Sequence, residues 1–224
     1  MYSRDYQGQT LRFEPSGGLL QGSLVMQDKE TDSYWSIMTG GSIAGSYNGT
    51  GLEELPLGVK TQWKDWVKAH PDTRILSVDG QEHIFSQGYD DYFNSEEGFR
   101  GLAATDTRLP SKAPVYTFHL DEQPYAVPFA AFEGGAAFEV DGQQIFLYRP
   151  SDVAIFYSTH AYRSSGKGFE KRRDGWYDVA TGARFDAEWG GFKAGEQGPQ
   201  RLGGFDTFWY NWSLIHPDTG LLGI

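Results

Sequence analysis

Thr61-Gln62-Trp63-Lys64-Asp65-Trp66 is followed, three residues on, by His70-Pro71-Asp72-Thr73, and the same arrangement returns in Thr207-Phe208-Trp209-Tyr210-Asn211-Trp212 and His216-Pro217-Asp218-Thr219. The shared pattern T-x-W-x-x-W-x-x-x-H-P-D-T has seven fixed positions at a constant offset of 146. Two tryptophans among the seven make chance recurrence a poor explanation. Upstream the offset becomes 150, matching Asp28 with Asp178, Thr31 with Thr181, Trp35 with Phe185, Ala44-Gly45 with Ala194-Gly195, and Leu52 with Leu202. A chain built this way is expected to contain two versions of one structural unit, at about residues 10–73 and 168–219.

Each version reads alike. An extended segment (Leu24–Met26; Trp176–Val179) runs into a turn and a second strand (Tyr34–Met38; Ala183–Asp186), followed by glycine-rich turns such as Gly40–Gly45. A helix is predicted over Thr61–Ala69 and over Thr207–Ile215, with Thr61 and Thr207 as N-caps. The His-Pro pair ends it, because proline disfavours helical geometry in the residue before it. Trp63, Trp66 and His70 share one helical face, as do Trp209, Trp212 and His216, so both tryptophans of each helix are expected to anchor it to a sheet. A packed histidine is favoured over a ligand at both His70 and His216.

Composition supports a β-rich chain. Of 224 residues, 29 are Gly and 16% are aromatic, which favours short strands and tight turns over long helices. The expected class is α+β, mostly antiparallel β with short helices, in two pseudo-symmetric repeats. The expected organisation is a first repeat over 1–80, incomplete at its N-terminus, a connecting region over 81–114 and a second repeat over 115–224, forming one compact unit. Between the versions, Val115–Leu120, Gln144–Tyr148 and Val153–Tyr157 read as strands, Pro128–Phe132 as a short helix and His83–Tyr92 as a long loop.

A net charge of −11 repels phosphate backbones and argues against nucleic acid as a partner. The basic run Lys171-Arg172-Arg173 reads as a solvated turn into Asp174-Gly175. With 0 Cys, disulfides, thiolate metal sites and cysteine nucleophiles are excluded within this sequence. No apolar run approaches a membrane span and no signal peptide is visible, which leaves cytoplasm or export open. The partner class is an unspecified small molecule or protein. No cofactor and no metal are assigned.

Chemistry-bearing residues are sparse. Tyr157 and His160 follow an expected strand, a position from which side chains line clefts. His119 stands beside Asp121 and Glu122, a combination that would suit a metal only if its members converge in space. Asp90-Asp91 and Glu96-Glu97 pair acids in an aromatic loop, as calcium ligands or glycosidase carboxylates would, although solvation is the favoured role. Asp106, Arg108 and Lys112 form a polar cluster in which Arg108 either clamps an anion or ties the connecting region to the body, the second being favoured.

Leu24-Val25-Met26, Asp28, Thr31, Trp35, Thr39-Gly40, Ala44-Gly45, Leu52, Leu55-Pro56, Thr61, Trp66 and His70-Pro71-Asp72-Thr73 together resemble the bacterial and archaeal domain-of-unknown-function family 3179. The likeness continues through Arg108-Leu109-Pro110 and Tyr125-Ala126-Val127-Pro128 into the second version. The resemblance carries no activity. It implies a His- and Cys-bearing segment upstream of Met1 that this sequence does not contain. Three functions remain in view: a non-enzymatic binding or accessory domain with an aromatic cleft between the repeats, a redox or metal enzyme lacking its Cys/His segment, and a carboxylate hydrolase.

Overall fold

A computed structural model of the chain describes residues 1–55, 58, 60–77, 88–151, 153–155, 157–164, 166–193 and 197–224. After a short pair, β1 (Asp5–Tyr6) and β2 (Gln9–Thr10), the first unit is an antiparallel meander of β3 (Phe13–Leu20), β4 (Ser23–Asp28), β5 (Tyr34–Ser36) and β6 (Ser42–Ala44). Its core is Trp35, packed edge-on against Tyr6 and Phe13 at 5.9 Å each. The Asp28 carboxylate, fully buried at 0% exposure, accepts from the Trp35 indole (2.8 Å) and from the Thr31 amide (2.6 Å) and hydroxyl (2.9 Å). It closes the turn and ties that turn to the core. Asp178 does the same for Thr181 (amide 2.9 Å, hydroxyl 2.5 Å) and, with Phe at 185 in place of Trp, takes its further bond from the Ser164 hydroxyl at 3.0 Å.

Beyond α1 (Trp63–Ala69) and α2 (Asp90–Asn94) the chain builds two facing sheets. One is ordered β17-β7-β8-β18, from β7 (Pro114–Leu120), β8 (Gln123–Pro128), β17 (Phe205–Phe208) and β18 (Gly220–Leu221). The other is ordered β16-β11-β10-β9, from β9 (Ala136–Val140), β10 (Gln143–Tyr148), β11 (His160–Arg163) and β16 (Gln200–Arg201). Because successive strand residues face opposite ways, β7 and β10 serve two cores each. Tyr116, Phe118, Leu120, Ile145 and Leu147 fill the space between the sheets. Val115 and Ala126 face the other way, onto Trp209 and Trp212 of α3 (Trp209–Ile215) and onto Met38 of the first unit. On the far side, Phe146 and Tyr162 pack against Phe185 and Phe192 of the pair β14 (Phe185–Asp186) and β15 (Gly191–Phe192). The hairpin β12 (Phe169–Arg172) and β13 (Gly175–Asp178) flanks that cluster.

The chain is therefore β-rich and mostly antiparallel, with three short α-helices among the described residues, and β8–β18 is the parallel pairing among the named strands. Several local expectations are corrected. Both motif helices begin two residues late, with Gln62 and Phe208 at the N-cap and no side-chain cap bond; at α3 this is because Thr207 is spent in β17 opposite Val115. Trp63 does not anchor α1: it is 50% exposed. Of the long loop expected over His83–Tyr92, residues 83–87 lie outside the described residues and Asp90–Asn94 is helical. Val153–Tyr157 is not a strand where described, because the buried Arg149 guanidinium donates to the carbonyls of Ala154 and Tyr157 and curls the segment around itself. Pro128 caps a single 3-10 turn at Phe129–Ala131.

Candidate functional site

Among the concavities of the described residues, one of about 540 Å³ beside α2 is lined by Ser95, Glu96 and Pro110–Ala113, and two others border the central strands. The smaller lies where Leu55 and Gly58 meet Tyr116, Thr159–Tyr162, Arg201, Leu202 and Gly204, and its volume of about 30 Å³ holds one water. Charges surround it. Thr159 donates to Asp206 from its amide (3.0 Å) and hydroxyl (2.6 Å), yet burial still pushes the Asp206 carboxyl above the usual carboxylate range. Burial also raises Glu54, whose Oε1 has no hydrogen-bond partner among the described residues. His160, at the start of β11, is pushed down to about 4 by burial and then by nearby Arg201, which keeps its imidazole neutral. The cavity has no room for an organic substrate, so these groups form a packed polar seam.

The larger concavity, about 600 Å³, is open and lies wholly within residues 134–193. Its floor comes from Tyr148 on β10, Trp176 on β13 and Phe185 on β14, with the Tyr148 and Phe185 rings 4.7 Å apart. Trp176 is held by its indole nitrogen, which donates to the Gly134 carbonyl at 2.9 Å, and by Phe146, 5.2 Å behind it. Gly135 makes this possible: its φ is +99°, and a Cβ there would stand 2.4 Å from that nitrogen. The rim carries both signs of charge. Lys193 bridges Asp186 at 3.0 Å, and Asp186 is held below the usual range by the Trp189 amide and then by Lys193. The Tyr177 hydroxyl donates to Asp174 at 2.7 Å. Lys171 reaches over Trp176, its ammonium 5.9 Å from the ring centre.

The residues singled out from sequence do not meet in one place. Arg108 is exposed, holds Asp106 through an ion pair of 2.6 Å, and donates to the Thr219 carbonyl at 3.0 Å. Lys112 donates to the Tyr92 carbonyl and stands 3.8 and 4.5 Å from the Tyr92 and Phe208 ring centres, tying α2 to the body. His119 faces α3, its ring 5.1 Å from His216 and 5.2 Å from Trp212, and burial lowers its pKa. Among the described residues no three His, Asp or Glu side chains converge on a metal position. Tyr157 donates to Asp65 of α1, and His160 borders the small cavity. Asp91, Glu96 and Glu97 are exposed.

The cleft floor was missed by sequence reasoning. Its three aromatics lie on three strands, and alternation marks them as strand residues without showing that they converge.

No curated protein and no solved structure matches this chain. A family model described as a protein of unknown function matches residues 1–219, and the chain belongs to that family, DUF3179.

Proposed function

We propose that this chain is a ligand-binding module whose working surface is the cleft floored by Tyr148, Trp176 and Phe185. The observation that carries the reading is a pre-formed volume of about 600 Å³ with an aromatic floor and a charged, two-signed rim. Small-molecule sites have this size and this division between apolar lining and a few polar groups. Lys171, Arg184 and Lys193 stand against Asp174, Asp186 and Glu188, so the rim is neutral on a chain of net charge −11. A ligand with an apolar ring face and several hydroxyls suits it: the face lies on Trp176, and the hydroxyls donate to the carboxylates and accept from Lys171. Neutral oligosaccharides have that chemistry. Nucleic acid suits a chain of net charge −11 poorly. Among the described residues no helix is long and apolar enough to cross a membrane.

The test is a titration of neutral oligosaccharides followed by tryptophan fluorescence and by ligand-observed NMR, on the native chain and on Trp176→Ala. Saturable binding that Trp176→Ala abolishes supports the reading. Binding unchanged by that substitution, or no response to any sugar tried, ends it.

A further inference from the structure

His119 on β7 and His216 at the C-terminus of α3 are remote in sequence, yet their ring centres lie 5.1 Å apart with the planes at 75°. Trp212 walls the pair, 4.1 Å from His216 and 5.2 Å from His119. The corner is fixed from behind. The Trp212 indole donates to the Thr219 hydroxyl at 2.8 Å, and that hydroxyl donates to the Pro124 carbonyl at 3.1 Å. Pro124 is the partner of His119 across β7 and β8, so the loop after His216 is tied to the hairpin that carries His119.

Two observations point to a ligand at this corner. Nε2 of His216 is buried and has no hydrogen-bond partner among the described residues. An orphaned buried nitrogen is costly, and it marks the place of an ion or a water. The second observation is the spacing. A tetrahedral zinc ion bonded to two imidazoles at about 2.0 Å sets their ring centres about 5 Å apart, which is the separation of His119 and His216. Burial lowers the pKa of both rings, and His119 lowers that of His216 further, so each is neutral at pH 7 and keeps a lone pair for a metal. Asp121, Glu122 and Asp218, all exposed and within three residues of a histidine, add to the negative field of a chain of net charge −11. The first copy of the motif lacks the pair. His70 repeats the contact with Trp66 at 4.1 Å, but it is exposed and no second histidine faces it among the described residues.

We propose that His119 and His216 form a two-histidine site for a borderline divalent cation of the zinc type. Nε2 of His216 and one ring nitrogen of His119 supply two corners of a tetrahedron. Both residues are partly exposed, so the other two corners open to solvent and are taken by water or by an anionic group of a ligand. The ion gives the orphaned nitrogen its partner and joins the end of α3 to β7. Among the described residues no third His, Asp or Glu completes the set. The ion is therefore held exchangeably, unlike one locked in a closed structural cage of four protein ligands.

The test uses the untagged native chain, stripped with a chelator and dialysed, with zinc chloride alone as the probe. Calorimetric titration is expected to show one equivalent bound. Long-range proton–nitrogen NMR of the imidazoles is expected to show the His119 and His216 signals moving along one saturation curve. His119→Gln and His216→Gln are each expected to weaken binding about tenfold or more, and His70→Gln to leave it unchanged. Zinc should also raise the melting temperature of the native chain, a gain that His119→Gln removes. Should His216→Gln misfold, the partly exposed His119→Gln decides the matter, with the near-ultraviolet spectrum of the tryptophans as its check on folding. The proposal is overturned by the absence of saturable uptake, by uptake that survives His119→Gln, or by an equal loss in His70→Gln. Movement of one imidazole signal without the other also overturns it, since that would be adventitious binding at a single ring.

Discussion

The Trp212 indole donates to the Thr219 hydroxyl at 2.8 Å while its ring lies 4.1 Å from that of His216, and Trp66 repeats both relationships with Thr73 (2.9 Å) and His70 (4.1 Å). The fixed residues of the motif thus form a clasp that folds the chain back beneath its helix. Burial separates the two. Trp212→Phe removes a bond inside a closed core and is expected to cost about 2–3 kcal/mol. Trp66→Phe, at a partly exposed site, should cost about 1 kcal/mol or less. Urea unfolding of the two variants checks the ratio, and equal costs would contradict the difference in burial.

Asp28→Asn places an amide where the native carboxylate accepts from three donors. Burial alone would raise the Asp28 pKa, but the Trp35 indole and the Thr31 amide and hydroxyl hold it below the ordinary value. A carboxyl lowered by folding stabilises above its unfolded pKa, and that contribution is lost as pH falls through the folded one. Asp28→Asn is therefore expected to cost about 2–4 kcal/mol at pH 7, with the deficit shrinking below about pH 4. Melting temperatures measured across that range read both parts.

His160 and His216 are each pushed down to about 4, His160 by burial and then Arg201, His216 by burial and then His119. Below the ordinary value of 6.5 the unfolded chain takes up protons that the folded one refuses, so stability is present above that pH and drains away towards about 4. The native melting temperature should fall over this window. His160→Gln, which stays neutral, should make the slope shallower, leaving the part that His216 and His119 contribute. An unaltered slope would mean that His160 is not shielded from protonation.

Gly190 and Gly142 share a φ of +73°, but a Cβ on Gly190 would stand 2.2 Å from the His160 ring and one on Gly142 would meet nothing within 4 Å. Both alanine variants incur about 1–2 kcal/mol for left-handed backbone. Gly190→Ala adds a collision with the His160 ring, so its total is expected to reach about 3 kcal/mol or more. Calorimetry on the pair isolates the clash, because the backbone penalty is common to both.

How much of this was legible follows from what each signal encodes. The His-Pro stop at the end of both helices could be read because proline acts on its immediate neighbour, and it holds at His70 and His216. The Asp28–Thr31 and Asp178–Thr181 matches were visible as an alignment, but their reason, a buried carboxylate closing a turn, needs coordinates. Helical spacing correctly put Trp63 beside Trp66 and could not say whether anything covers them. Val153–Tyr157 looked extended because its apolar content fits a strand, and the Arg149 guanidinium that curls it is invisible in that window. The cleft shares this difficulty, since Tyr148, Trp176 and Phe185 converge only after three separate strands have paired.

The placement of β17 against β7 also sets a schedule for folding. The Thr117 hydroxyl bonds the Phe205 carbonyl across 88 residues of chain, and the Asn211 amide bonds Gln21 across 190. Contacts so remote in sequence form late and slowly. During synthesis the β7–β8 hairpin emerges well before α3 exists to cover Val115 and Ala126, so for much of its making the nascent chain carries an uncovered sheet face. Cells making this protein are expected to keep that face occupied by a chaperone until α3 has emerged.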